Sequence, residues 1–121
     1  MRQSIIAAEP RATRFLKVSE VAKHTATGKV NLEVMALSNG SVREVSLKDR
    51  STAKKGEVVL GDDTGEITAF SWDEASKIIG DIKAGETLRI HGAAVQVSKM
   101  GVETLELTLS TKLERLNREI R

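Results

Sequence analysis

The sequence predicts an all-β chain: a five-stranded antiparallel barrel with a short helix between strands three and four, and a C-terminal helix. Three observations carry this. Apolar and polar residues alternate with period two in several short runs. The nine glycines fall mostly between those runs, where turns belong. The stretch Asp73 to Ile79 breaks the alternation once and carries acids in its first turn, where a helix macrodipole favours them.

The elements follow in order. Met1 to Arg14 reads as a flexible basic arm. Phe15 to His24 reads as a helical or turn segment with Ser19 as a candidate N-cap and Phe15, Val18, Val21 and Ala22 apolar. Val30, Leu32, Val34 and Ala36 then share one face of strand one. Asn39-Gly40 fits a hairpin turn, or a bulge where one long strand bends and runs on through Val42, Val45 and Leu47. The bulge is preferred, because small barrels close around long coiled first strands. Lys48 to Gly56 reads as a polar, basic loop.

Glu57 to Trp72 is the most informative stretch. Val58-Val59-Leu60 enters the turn Gly61-Asp62-Asp63-Thr64-Gly65, and Ile67 to Trp72 leaves it, as in a β-hairpin. Adjacent acids in such a turn are expected as backbone hydrogen-bond acceptors rather than a metal pair. Ile67, Ala69 and Ser71 fall on one face, Thr68, Phe70 and Trp72 on the other. The chain has only three aromatics: Phe15, Phe70 and Trp72. If Ile67 and Ala69 face the core, two of those three stand together outside as a contact surface; the other reading buries both.

Gly80 stops the short helix. Leu88 and Ile90 alternate with Arg89 and His91 in strand four, which runs on towards Val97. Ser98 to Gly101 is a hairpin loop. Strand five has Leu105, Leu107 and Leu109 facing in and Thr104, Glu106 and Thr108 facing out. Thr111 to Arg121 reads as an amphipathic helix: Thr111 to Glu114 fits a capping box, and Leu113, Leu116 and Ile120 form one stripe. That stripe would cover the chain's own barrel or serve a partner or a second copy.

At 121 residues the chain fits one domain, with residues 15–110 flanked by the arm and the terminal helix. It contains no cysteine, so disulfides and thiolate metal sites are excluded. With no long apolar run, it is expected to be soluble, cytoplasmic and without membrane partners. The net charge of +2 is uneven: Met1 to Lys17 carries +3, Lys112 to Arg121 carries +2, and the stretch between carries −3. Lys48, Arg50, Lys54 and Lys55 against Asp49 make a local basic cluster.

Five strands with a helix between the third and fourth is the order of the OB-fold barrel. That fold binds oligonucleotides or oligosaccharides on its strand two–three face and on the loops joining strands one–two and four–five. Phe70, Trp72, Lys48 to Gly56 and Ser98 to Gly101 hold those positions. VVLGDDTGEITAFSW, with Ile82 to Ile90 and Val18-Ser19-Glu20-Val21, resembles archaeal single-stranded DNA-binding proteins of the replication protein A type, over roughly Lys17 to Leu109. The resemblance implies that Trp72, at the end of strand three, stacks on a base. Such proteins usually supply further aromatics from strand four and the loop after it, where this chain has Ala93, Ala94, Val97 and Ser98. Each missing stack forgoes ~1–3 kcal/mol per base.

No catalytic constellation, phosphate loop or ligand-spaced histidine pair stands out, so neither enzyme activity nor a cofactor or metal is expected. The leading reading is a module for single-stranded nucleic acid in replication or repair. Trp72 and Phe70 would stack on bases, and Lys48, Arg50, Lys54, Lys55, Arg89 and Lys99 would neutralise phosphates. The resemblance favours DNA, though no residue marks recognition of the 2′-hydroxyl. The alternatives are a protein-interaction OB-fold subunit of a larger complex, and an RNA- or ribosome-associated OB-fold factor.

Overall fold

The structure, a computed structural model, describes residues 15–21, 29–97 and 100–116. Its strands are β1 (Lys29–Ala36), β2 (Ser41–Ser46), β3 (Thr52–Asp62), β4 (Gly65–Trp72), β5 (Thr87–Val97), β6 (Glu103–Glu106) and β7 (Lys112–Leu116). A 3-10 turn (Asp73–Ala75) and the five-residue helix α1 (Ser76–Gly80) separate β4 from β5. β1 pairs with β3, β3 with β4, β4 with β6, β6 with β5, and β5 returns to β1. Only the β4–β6 pairing in that ring is parallel. This closed ring is the OB-fold barrel with its short helix, as the element order predicts.

Apolar alternation fills the ring. Val30, Leu32, Val34 and Ala36 of β1 point inward with Val58 and Leu60 of β3, Ile67 and Ala69 of β4, and Leu88 and Ile90 of β5. Gly92, at a φ of +83°, sits where the β1–β5 register slips, and its N–H donates to Asn31 Oδ1. This glycine bulge reverses the alternation, so Ala93 rather than His91 or Gly92 continues the core.

Asn39-Gly40 is a bend and not a hairpin, because β1 and β2 both run antiparallel to β3. Gly40 is required by close approach: a Cβ there would lie 1.7 Å from the Ile79 carbonyl oxygen of α1. Its N–H donates to the Ile82 carbonyl.

The Asp-Asp turn ties down the N-terminal segment, where residues 18–21 form a 3-10 turn. Asp62 accepts from the Val18 N–H and from both the N–H and the hydroxyl of Thr64, while Asp63 pairs with Lys17. Asp62 is thus the backbone acceptor that the turn chemistry predicts, whereas Asp63 is engaged by a lysine side chain instead. Ser19 is no N-cap; its N–H donates to Thr64 Oγ1, and Glu20 Oε1 accepts from the Lys17 N–H instead.

Three expectations are corrected. Lys112–Leu116 is a strand, not a helix: β7 pairs antiparallel with β5 through Ile90↔Leu113. Thr111 Oγ1 donates to the Gly92 carbonyl and accepts from the Thr108 N–H, which turns β6 into β7 along the same partner strand. Leu113 packs against the chain's own core, and Ile120 lies outside the described residues. Leu109 does not face in; it is 72% exposed in that turn. The basic loop is also shorter than Lys48 to Gly56, since β3 begins at Thr52 and the hairpin loop closes with Leu47 and Ser51 hydrogen-bonded to each other. No described helix is long and apolar enough to cross a membrane.

Candidate nucleic-acid interface

Ile67, Ala69 and Ser71 face the core, and Phe70 and Trp72 are half-buried on the outer wall. The two rings meet edge to face, 6.3 Å between centroids at 80°. On β3, Lys55 stands opposite Trp72 and Glu57 opposite Phe70; on β6, Glu106 stands beside Phe70. The Lys55 ammonium lies 5.4 Å from the Phe70 centroid and 5.3 Å from the Trp72 centroid, in cation–π range of both. It also pairs with Glu57 at 3.6 Å, and Arg43 of β2 reaches Glu57 at 3.5 Å.

Asp73 holds the end of this platform. It follows Trp72 at a φ of +51°, a left-handed conformation that Asp tolerates better than most residues. Its Oδ1 accepts from the Lys54 N–H and its carbonyl from the Ser76 hydroxyl. The chain therefore turns sharply off β4 immediately after the indole.

The sequence-predicted cations separate into several places. Lys55 is on the aromatic face. Lys54, on the same strand but the opposite side, lines a cavity of about 440 Å³ with Glu44, Asp73, Glu74 and Lys77. Lys48 and Arg50 are exposed in the β2–β3 loop, which ends at Thr52, three residues or about 10 Å along β3 from Lys55. Arg50 takes a φ of +73° there. Asp49 accepts from the Ser51 hydroxyl and N–H, which holds its carboxyl below the ordinary aspartate range. Arg89 is on another wall, over Phe15 at 5.4 Å and paired with Glu33 at 3.6 Å. Phe15 in turn packs edge-on against His91, whose ring faces Glu114. Lys99 lies outside the described residues.

Sequence reasoning missed Arg43, Glu57 and Glu106 as members of this face. Alternation puts Glu106 outside, but only the parallel β4–β6 pairing, which no local pattern signals, brings it to Phe70. The platform carries two carboxylates beside its two cations. Among the described residues there is no cluster of three or more metal-ligating side chains.

The closed barrel with an aromatic pair on its β3–β4–β6 wall is an OB-fold domain. The chain is 28% identical over 111 residues to a replication factor A of the archaeon Methanothermobacter thermautotrophicus, covering 92% of this chain. It spans about an eighth of that protein, 13% of its length. The replication factor A related protein of Methanobacterium thermoautotrophicum superimposes with a TM-score of 0.68 at 21% identity, covering 88% of this chain and 94% of that one. DNA binding domain A of Saccharomyces cerevisiae replication protein A gives a TM-score of 0.66 at 16% identity, covering 88% and 97%. No protein-family model matches the chain.

Proposed function

We propose that this chain is a non-enzymatic module that binds single-stranded nucleic acid, DNA in preference to RNA, with little dependence on sequence as a whole. The observation that carries the reading is the pair Phe70 and Trp72, side by side on the outer wall with the Lys55 ammonium between them. Each base offers a π-face to such a platform, and each phosphate a charge to Lys55, Arg43, Lys48 and Arg50. The Lys55–Glu57 and Arg43–Glu57 pairs are partly exposed and worth ~1 kcal/mol or less. A phosphate can therefore replace the carboxylate as partner at small cost. The preference for DNA rests on the named relatives, one a replication factor and one a DNA-binding domain.

Titration of Trp72 fluorescence with dT and U oligomers at several salt concentrations tests this, with Trp72→Ala followed by the anisotropy of labelled oligomers, since it leaves no tryptophan. Binding should weaken with salt and favour dT, and Trp72→Ala should cost ~1–3 kcal/mol of affinity with the melting curve retained. No fluorescence change and no binding to either oligomer at low salt would rule the reading out. Tighter binding to U would turn it towards RNA.

A further inference from the structure

Beside Trp72 the wall opens into a concavity of about 450 Å³, lined by Trp72, Ala75, Glu106, Leu109 and Ser110 among others. It is shallow and open to solvent, so it can take one face of a base rather than enclose a ligand. Indole forms one side. Leu109, largely exposed, stands in the lining beside it, with no burial of its own to explain an apolar residue there. Apolar and aromatic walls of this kind hold a base turned out of a strand.

The charged side chain lining this concavity is Glu106, beside the hydroxyls of Thr108 and Ser110, the latter accepting from the Lys29 ammonium at 2.9 Å. Glu57 is shared by Arg43 and Lys55, whereas the side-chain hydrogen bond of Glu106 among the described residues comes from the neutral Gln96 amide, at 3.1 Å. No cation among the described residues pairs with it. An ionised carboxylate only accepts hydrogen bonds. It matches the exocyclic amines of cytosine and adenine and the adjacent N1–H and amine of guanine, and it suits thymine and uracil less, because their single N3–H stands between two carbonyls that it repels.

We infer that this concavity is a base subsite selective for amino-bearing bases, with Glu106 reading the amine and Trp72 and Leu109 flanking the ring. The inference rests on the single-strand reading above and adds a composition preference to it.

The test compares dC, dA and dT twelve-mers by Trp72 fluorescence, with the full chain and with Glu106→Gln and Leu109→Ala. The unmodified chain should favour dC and dA over dT by about fivefold or more. Glu106→Gln should tighten dT binding and weaken dC and dA binding, bringing the ratio close to one, because an amide also donates to O4 and no longer offers the amines a charged acceptor. Leu109→Ala should weaken dC binding more than dT binding. Equal affinity for dC and dT in the unmodified chain, or a ratio unchanged by Glu106→Gln, would overturn this inference and leave the single-strand reading standing. Failure of all three oligomers to bind would overturn both.

Discussion

Lys55 and Trp72 are cross-strand partners, and the Lys55 ammonium lies 5.3 Å from the indole centroid. Lys54, its neighbour in sequence, faces the other side of β3. Two adjacent lysines that look like one basic cluster in the sequence therefore serve different surfaces. For single strands each phosphate contact adds ~0.7 to the magnitude of the log–log salt slope. Lys55→Ala should flatten the slope by about that much and weaken binding. Lys54→Ala should leave the slope as it is. Salt titrations of the two variants check this, and equal slopes for both would place the phosphates elsewhere.

Gly40 separates two explanations of one sequence signal. Asn-Gly usually marks a hairpin, yet in this chain it lets the bent first strand pass against the Ile79 carbonyl. Gly40→Ala should destabilise by about 3 kcal/mol or more, because the clashing atom is backbone and the added Cβ has nowhere to go. A hairpin glycine of positive φ would instead tolerate Asn better than Ala. Urea unfolding of Gly40→Ala and Gly40→Asn distinguishes the two, and both should be severely destabilised.

Strand alternation made the barrel and the outward aromatics readable, since Ile67, Ala69 and Ser71 could share only one face. What stayed hidden depends on partners distant in the chain. Glu106 meets Phe70 through a parallel pairing across 36 positions, and Arg89 is spent on Glu33 and Phe15. The terminal segment misled for a different reason. Leu113 and Leu116 fit a helical stripe, but the open edge of β5 offers backbone partners that an eleven-residue helix cannot match.

Ser71 follows from the alternation and carries a cost. It is fully buried, and its hydroxyl has no hydrogen-bond partner among the described residues. Ser71→Ala should stabilise the protein by about 1 kcal/mol, the gain from removing an unsatisfied polar group. Thermal melting measures it, and a loss of stability would mean that the hydroxyl has a partner, such as a bound water.

Asp62 makes stability depend on acid. Burial pushes its carboxyl up, but the Thr64 hydroxyl, the Val18 and Thr64 N–H groups and the Lys17 charge together outweigh that and hold it below the ordinary value of 3.8. A depressed carboxyl stabilises the fold fully above its unfolded pKa, and that contribution fades as pH falls through the folded value. Asp62→Asn should cost about 1–2 kcal/mol at neutral pH. The gap between the two proteins should then narrow below about pH 4. Denaturant melts from pH 7 to pH 2 trace it, and a gap that stays constant would remove Asp62 as its source.

β7 covers the edge of β5 from Thr87 to His91, and Leu113 packs on the core beneath it. Removing residues 111–121 strips that edge of its partner and uncovers apolar surface. Melting should fall, and the exposed edge should promote association, because an unpaired strand is a template for another chain. Leu113→Ala should cost about 1–2 kcal/mol, less than the 2–5 kcal/mol of a fully buried leucine because the side chain is only half-buried. Were the terminal segment instead a docking device for a second copy, truncation would abolish a dimer and spare the melting temperature. Sedimentation and melting of the full and truncated chains separate the outcomes, and a stable truncated monomer derived from a full-length dimer would refute the edge-covering role of β7.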